Sequence, residues 1–291
     1  MPAPRARGGL ALPLLLALAC GGETDRTAAA DPAVTVTVTD AAGRTVALED
    51  PAVRVVSLVP SATLVLEALG AGERLVGRTD FDTATWAAGI PSVGGGLEPN
   101  LEAVVSLRPD LVIRFAGEQD PATPARLDDL GIPHAAVRPD RIAGILESVR
   151  IVGEVVGRPA AADSLARRLR AGLDSVGHAH EGRASPRVAY VLGGTPPWVA
   201  GPGTYIHELI ELAGAENVFA GLGSPYASVS PEEFVAREVD VILADQPGDV
   251  PPRLAGDAPV RLVSDALELP GPGVVRAARE VARLVHGTPP P

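Results

Sequence analysis

The sequence predicts an α/β protein built from two similar lobes, because one segment occurs twice and each copy combines a helix with a strand. The copies cover residues 100–113 and 230–243, and in both, eight positions separate the first glutamate from the aspartate. Each copy has the pattern of a capped helix followed by a buried parallel strand. Copies about one domain length apart indicate a duplicated α/β unit, whereas a solenoid repeats every 20–50 residues or so.

The elements of the first half follow in order along the chain. Residues 34–38 alternate between valine and threonine and residues 45–48 return after a turn, which predicts a hairpin. Residues 54–59 form the first core strand, and the helix after it opens at Pro60 with Ser61 as its cap. Further strands are predicted at 75–77, 111–115 and 135–137.

The middle of the chain is predicted to be helical. Apolar residues recur at helical spacing over 141–156 and again over 160–176, where leucines at 165, 169 and 173 share one face. A helix there would act as a stiff strut, so we expect limited rotation of the lobes. Residues 187–192 begin the second lobe and 274–285 form its closing helix. The predicted domains are a signal peptide (1–19), a tether (20–33), a first lobe (34–139), a connecting helical segment (140–185) and a second lobe (186–288).

The N-terminus has the pattern of a targeting segment. Arg5 and Arg7 precede an apolar run at 10–18 that is too short to span a bilayer as a helix. Cys20, the only cysteine of the chain, directly follows Ala19 at the expected cleavage point. Because an exported unpaired thiol is unusual unless modified, we expect a lipoprotein anchored to a membrane through Cys20. A plain secretory signal is the alternative.

Composition and motifs argue against several classes of function. Net charge is −11 and every basic side chain is arginine, which excludes a lysine-bearing phosphate loop or Schiff base and makes nucleic acid an unlikely partner. No catalytic motif is found, so neither an enzyme nor a cofactor is expected. The five histidines are scattered and do not form a metal site, and His178 and His180 are expected in solvent at a helix end.

The chain has nine aromatic residues, and their placement is informative. Four lie in apolar strands or helix faces and are expected in the core: Phe115, Tyr190, Phe219 and Phe234. Four others lie among loop residues of both halves: Phe81, Trp86, Trp198 and Tyr226. Rings of the second group are predicted to form the walls of a cleft between the lobes.

The repeated glutamates, Glu102 and Glu232, have two interpretations. An acidic residue in the first turn of a helix is favoured by the helix dipole without any function. In the second copy, however, Ser230 and Glu233 already form a capping box, so Glu232 is left to point to solvent.

From about Arg54 onward, the chain resembles the substrate-binding proteins of the cobalamin and iron-siderophore ABC importers. The segments that carry the resemblance are 54–63, 93–95 with 100–102, 107–112 and 212–219. The resemblance implies two Rossmann-like lobes joined by a single long helix, the class III periplasmic binding protein architecture. It also implies a monomer that binds its ligand in the cleft without catalysis, and it places Glu102 and Glu232 where such proteins meet arginines of the permease.

Within this family the chain is most similar to cobalamin binders, so a corrinoid is the expected ligand. The resemblance assigns ligand contacts to Phe81, Trp198, Tyr226 and Asp265. Gly96 stands in place of a cleft tryptophan, and Trp86 is our hypothesis for the replacement ring. An arginine before the last helix is replaced by Gly273.

Three alternatives remain open. The first is a haem or ferric siderophore carrier of the same architecture, with Tyr226, His207 or Arg78 as the candidate ligand residues. The second is a sensory or structural lipoprotein on this fold. The third is a metal-dependent enzyme with a similar two-lobe body.

Overall fold

The computed structural model describes residues 36–117, 122–182, 184–267 and 269–287. It begins with the expected antiparallel hairpin, β1 (Val36–Thr39) and β2 (Thr45–Leu48). Asp40 stabilises the turn, since its Oδ1 accepts from the N–H groups of Ala42 and Arg44 at 2.9 Å each. Its Oδ2 accepts from the Ala136 N–H at 3.0 Å, which fixes the hairpin to the first lobe.

The first lobe has an all-parallel sheet of four strands in the order β4-β3-β5-β6. The strands are β3 (Val55–Ser57), β4 (Leu75–Gly77), β5 (Leu111–Phe115) and β6 (His134–Val137). Its helices are α1 (Pro60–Ala68), α2 (Leu101–Ser106) and α3 (Ala122–Asp129), with 3-10 turns at Gly72–Arg74 and Thr85–Ala87. The predicted cap of α1 is wrong: Ser61 lies buried inside the helix, whose N-cap is Val59. Pro60 already has the φ angle of a first helical residue, so the helix begins there without a hydroxyl cap.

Two helices connect the lobes, α4 (Ile142–Val155) and α5 (Pro159–His180). Helix α5 has 22 residues, so it is about 33 Å long at 1.5 Å per residue. Its predicted apolar face is confirmed, because Leu165, Leu169 and Leu173 are all buried. Helix α4 packs on α1 and β1 of the first lobe, while α5 packs along α4.

The second lobe has a mixed sheet in the order β10-β8-β7-β11-β12, with β9 also beside β7. Its strands are β7 (Arg187–Gly193), β8 (Trp198–Ala200), β9 (Glu216–Asn217), β10 (Tyr226–Ser228), β11 (Val241–Ala244) and β12 (Val260–Leu262). Its helices are α6 (Tyr205–Leu212), α7 (Pro231–Val235), α8 (Pro252–Ala255) and α9 (Val274–His286), with a 3-10 turn at Asp265–Leu267. Strands β9 and β11 each pair parallel with β7, and β12 pairs parallel with β11. Strand β8 pairs antiparallel with β7, and β10 pairs antiparallel with β8, so these two strands form an antiparallel edge.

The predicted duplication is confirmed by strand order and by equivalent hydrogen bonds. The order β9-β7-β11-β12 in the second lobe matches β4-β3-β5-β6 in the first. The Asp110 N–H donates to the Arg54 carbonyl at 3.0 Å, and the Asp240 N–H donates to the Arg187 carbonyl at 2.8 Å. The two side chains return the bond, accepting from the N–H groups of Arg54 and Arg187 at 2.9 and 2.8 Å. Each repeated aspartate therefore fixes the start of its strand to the first strand of its lobe.

One large apolar core continues from the first lobe through α4, α5 and α9 into the second lobe. Helices α5 and α9 approach closely, since a Cβ at Gly172 would lie 2.8 Å from Val275. The other face of each sheet packs against a smaller core. Successive residues of a strand point alternately into the large core and into the smaller core. Val55, for example, lies in the large core and Val56 lies in the smaller one. A core shared by both lobes gives a physical reason to expect limited rotation between them.

The exposure predicted for the histidines at the end of α5 holds for His178 but is wrong for His180. The His180 ring stacks on His286 of α9, with ring centroids 5.0 Å apart. Its Nδ1 lies 2.8 Å from the Val176 carbonyl oxygen. An element that is distant in sequence covers this ring, so the local pattern could not reveal its burial.

Candidate ligand-binding site

A cavity of about 680 Å³, the first-lobe hollow, lies at the carboxyl ends of strands β3 and β5 and beside the loop after β4. Ligands of open parallel sheets bind at this end of the strands. The hollow is lined by Leu58, Val59, Pro60, Phe81, Gly95, Gly96, Leu97, Glu98 and Phe115.

The Phe81 ring is presented by a hydrogen-bonded loop. Asp82 is buried, and its Oδ2 accepts from the N–H and the hydroxyl of Thr79 at 2.9 and 2.7 Å. Arg78 holds the base of the loop by donating from Nε to the Ala87 carbonyl at 3.0 Å. The loop is thus fixed from below while the Phe81 side chain stays 66% exposed, which is the placement needed for contact with a ligand.

Gly96 forms part of the wall of the first-lobe hollow with its backbone alone. A Cβ built at this position would lie 2.4 Å from the Leu58 carbonyl oxygen, which is closer than real Cβ atoms approach. The glycine therefore cannot be exchanged for an aromatic residue without a shift of the loop. The cleft tryptophan expected from the resemblance would clash with the Leu58 carbonyl at this position.

A second cavity of about 350 Å³, the second-lobe hollow, is lined by Leu192, Gly193, Gly194, Trp198 and Tyr226. These residues come from the end of β7 and the starts of β8 and β10, which pair antiparallel. Gly194 has a φ of 93°, and a Cβ there would lie 3.1 Å from Cδ1 of Trp198, so the absent side chain leaves room for the indole. Trp198 and Tyr226 are 50% and 40% exposed.

Tyr226 is a neutral phenol at physiological pH. Burial, together with the nearby Asp140 carboxylate, raises the pKa of Tyr226 to about 12. Its hydroxyl is therefore available as a hydrogen-bond donor. Asp140 belongs to the segment that leaves the first lobe before α4, so its electrostatic influence on Tyr226 indicates that the second-lobe hollow lies near the junction of the lobes.

Exposed apolar side chains are concentrated at the two hollows. Among the described residues, ten large apolar side chains are exposed, and five of these line one hollow or the other: Phe81, Leu97, Leu192, Trp198 and Tyr226. Exposed apolar surface gathered in concave sites is typical of ligand-binding regions. The loop aromatics at 81, 198 and 226 therefore lie in the two hollows, and their contact with a ligand stays a prediction.

The structure places Trp86 elsewhere. Its ring lies against Gly72, where a Cβ would be only 3.2 Å from the indole, and the side chain packs on the large core. The indole Nε1 is buried without a hydrogen-bond partner among the described residues. In this conformation Trp86 lines neither hollow.

Asp265 lies in a third cavity of about 540 Å³, the side cavity, which shares no lining residue with either hollow. Residues of α1 and the 83–85 loop form one wall, and the other is formed by Asp265, Leu269, Pro272, Gly273 and Arg276. The Asp265 Oδ1 lies 3.9 Å from Nη2 of Arg276, and both side chains are largely exposed. Arg276 also lies next to Gly273, whose Cβ would be 3.9 Å from its Nη2.

Glu102 and Glu232 occupy equivalent positions in the first turns of α2 and α7. The two helices are capped in the same way, since Asn100 accepts from the Ala103 N–H at 3.1 Å and Ser230 accepts from the Glu233 N–H at 3.0 Å. Both glutamates are exposed, and neither carboxylate makes an ion pair or hydrogen bond with any described residue. The Glu233 carboxylate instead pairs with Arg237 at 3.1 Å.

Sequence reasoning missed Phe115, which was expected in the core. It is half-buried at the carboxyl end of β5 and lines the first-lobe hollow. Its position as the last residue of a parallel strand was the signal, because that end of the sheet carries the binding residues.

The three residues considered as haem or siderophore ligands lie in different surroundings. Tyr226 lines a hollow, whereas the Arg78 and His207 side chains bond to neighbouring protein groups.

Within the described ranges, no three or more His, Cys, Asp or Glu side chains are grouped so that they could hold a metal ion. No helix of the same ranges has the length and hydropathy needed to span a bilayer. Cys20, the signal peptide and the tether lie outside the described residues.

Two α/β lobes with strands of matching order, a connecting helical segment and apolar hollows at the strand ends define a two-lobed binding-protein fold. Residues 55–258 match the family model described as periplasmic binding protein. The chain therefore belongs to the periplasmic binding protein family.

Three known proteins show how this chain compares with others. It is 34% identical over 222 residues to the cobalamin-binding protein of Halobacterium salinarum, a match that covers 74% of this chain and 59% of that relative's length. The periplasmic vitamin B12-binding protein BtuF of Vibrio cholerae superposes with a TM-score of 0.71 at 24% identity, covering 81% of this chain and 97% of BtuF. The apo periplasmic haem-binding protein RhuT of Roseiflexus sp. RS-1 superposes with a TM-score of 0.70 at 26% identity, covering 80% and 98%. The predicted two-lobe architecture is thereby confirmed.

Proposed function

We propose that this chain is the substrate-binding component of an ABC importer, which captures a corrinoid between its lobes and delivers it to the membrane permease. The observation that carries the proposal is the presence of exposed aromatic rings in hollows on both lobes, Phe81 in the first and Trp198 and Tyr226 in the second. Rings on both sides of a cleft suit a flat, largely apolar macrocycle. The role involves capture and release, with no bond made or broken.

The corrinoid assignment is supported by the cobalamin-binding relative at 34% identity. It is also supported by the neutral phenol of Tyr226, which can donate to the carbonyl groups of corrin side-chain amides. Asp265 remains predicted to accept from ligand amide groups. That contact requires the side cavity to be continuous with the cleft when ligand is bound.

Delivery would depend on Glu102 and Glu232, which we propose as the residues that meet permease arginines. Support comes from their equivalent positions, their exposure and their lack of partners on the described part of the chain. Replacing both by alanine should abolish uptake and leave ligand affinity unchanged. Glu147, an exposed glutamate of α4, supplies the matched control. A large loss of affinity in the double variant would mean that these glutamates line the cleft instead.

We propose further that the protein is exported and held at the extracytoplasmic face of a membrane through a lipid on Cys20, the single cysteine. A Cys20→Ala variant should not incorporate labelled palmitate and should move from the membrane to the soluble extracytoplasmic fraction. Continued membrane association of that variant would contradict the anchor.

Haem is the second candidate, favoured by the fold likeness to RhuT and by the presence of Tyr226 in a hollow. The two ligands make different demands on this residue. Coordination of ferric iron requires the Tyr226 phenol to lose its proton, whereas a corrinoid requires only contact and a hydrogen bond from that phenol.

Titration of the soluble body, residues 34–291, with cyanocobalamin, haemin and a ferric siderophore separates these choices by absorption spectra. Cyanocobalamin should bind with a stoichiometry of one and should raise the unfolding temperature by mass action. Tyr226→Phe should change corrinoid affinity only modestly. Tight haemin binding that Tyr226→Phe abolishes, with no response to cyanocobalamin, would overturn the corrinoid assignment in favour of haem.

A further inference from the structure

Two exposed valines repeat the arrangement of the two docking glutamates. Val105 follows Glu102 by three residues in α2, and Val235 follows Glu232 by three residues in α7. Residues three apart are neighbours on one helix face. The side chains of Val105 and Val235 are 43% and 61% exposed. Each lobe thus presents a patch, Glu102 with Val105 or Glu232 with Val235, in which a carboxylate has an apolar group beside it.

The valines do not serve the core of their own lobes. The preceding residues, Val104 and Phe234, are 0% and 1% exposed and anchor the two short helices. A single exposed valine needs no explanation. The residues around the valine differ between the two copies. When the segments are aligned, Ala103 corresponds to Glu233 and Ser106 corresponds to Ala236. Glutamate and valine have nevertheless stayed the same in both.

Each patch follows a hollow-lining segment by a few residues along the chain. Helix α2 begins directly after the loop 95–98 that lines the first-lobe hollow, and the Asn100 N–H donates to the Val93 carbonyl at 2.8 Å. Helix α7 begins shortly after Tyr226 of the second-lobe hollow. A partner that contacts both patches would therefore lie near the loops that line both hollows.

We propose that Val105 and Val235 are permease contacts, each entering an apolar recess beside the cation that pairs with the neighbouring glutamate. The inference rests on the importer role proposed above and goes beyond it by specifying the partner surface. That surface has two equivalent sites, each a cation next to an apolar recess. The apolar contact excludes water from the ion pair, and desolvated pairs at the centre of an interface contribute more than exposed ones.

The test uses the full chain in cells of its source, with the gene replaced by each variant and uptake of radiolabelled cyanocobalamin as the readout. The Val105→Ser, Val235→Ser double variant should lower uptake about tenfold or more, while the purified protein keeps its unfolding temperature and its affinity for cyanocobalamin. Each single variant should lower uptake less than the double variant does, and the two single variants should lower it by similar factors. Val53→Ser is the matched control, because Val53 is 58% exposed and belongs to neither patch.

Comparison with the Glu102→Ala, Glu232→Ala double variant separates the role proposed for the valines from the docking role proposed for the glutamates. Normal uptake by the valine variant together with lost uptake by the glutamate variant overturns this inference alone. Normal uptake by both variants overturns the docking role of the glutamates as well. A loss in Val53→Ser equal to that in the double valine variant also overturns the inference, because the effect would then be general to exposed valines.

Discussion

The backbone of Gly96 lies against the carbonyl oxygen of Leu58, so closely that a Cβ at position 96 would be 2.4 Å from that oxygen. Leu58 follows β3, and its own N–H donates to the Ile113 carbonyl at 2.8 Å, which ties it to the sheet. The wall of the first-lobe hollow at this point is therefore backbone. A side chain here would have to displace either the loop or the sheet edge.

Gly96→Ala should lower the free energy of unfolding by about 1–3 kcal/mol, because the added methyl overpacks this contact. Gly95→Ala is the matched control, since a Cβ there meets nothing nearer than 3.8 Å and should change stability by no more than about 0.5 kcal/mol. Urea unfolding followed by circular dichroism measures both. Equal stability of the two variants would contradict the close approach.

The two tryptophans are expected to have separate roles. Trp198→Ala should weaken cyanocobalamin binding about tenfold or more and leave stability nearly unchanged, because the side chain is half exposed in a hollow. Trp86→Ala should show the reverse, a loss of about 2 kcal/mol or more with affinity retained, because the ring packs on the core. Calorimetric titration and thermal unfolding of both proteins provide the check. An equal loss of affinity in both variants would support Trp86 as the replacement ring.

Glu208 of α6 caps α4 from the opposite side of the lobe junction. Its Oε2 accepts from the Ile142 N–H at 2.6 Å, and its Oε1 accepts from Nε of Arg141 at 2.7 Å. Glu208→Ala should cost about 1–2 kcal/mol of unfolding free energy through loss of the cap. Glu211→Ala, on the same helix but 60% exposed, should cost no more than about 0.5 kcal/mol in the same denaturation assay. Similar costs would show that the cap contributes nothing beyond surface charge.

His134 predicts how stability depends on pH. The ring is buried, Arg114 donates from Nε to its Nδ1 at 2.9 Å, and its Nε2 lies 3.1 Å from Oδ1 of Asp128. Burial, followed by the guanidinium charges of Arg44 and Arg114, lowers the pKa of His134 below its usual value near 6.5. The folded protein then binds a proton less readily than the unfolded chain. The contribution of the neutral His134 ring to the free energy of unfolding is therefore present above about pH 6.5 and is lost as pH falls through the lowered pKa.

Urea unfolding between about pH 5 and 8 should show this loss, and His134→Gln should flatten the curve relative to wild type. His178→Gln, at an exposed position, is the control. Should His134→Gln fail to fold, an NMR titration of the ring in the wild-type protein gives the same information directly. A His134 pKa at or above 6.5 would contradict the account.

The features predicted correctly from the sequence are those that local periodicity or repetition encodes. The hairpin, the buried leucines of α5 and the equivalence of Asp110 and Asp240 all follow from spacings within short segments. Repetition was informative because two copies of one unit must place equivalent residues equivalently.

The features that sequence reasoning missed depend on contacts between distant segments. His180 is covered by α9, and Phe115 lies at the end of its strand, where its side chain packs on the core and also lines a cavity. The placement of Trp86 depends on Gly72, whose missing side chain accommodates the indole. The side cavity around Asp265 is formed by both lobes together, so no single segment could predict its separation from the hollows.

A crystal structure of the soluble body grown with cyanocobalamin tests the central claim most directly. We predict density for one corrin ring that contacts Phe81 in the first-lobe hollow and Trp198 and Tyr226 in the second-lobe hollow, with Glu102 and Glu232 remaining in solvent. Density confined to the side cavity beside Asp265 and Arg276, or an empty cleft at saturating ligand, would contradict it.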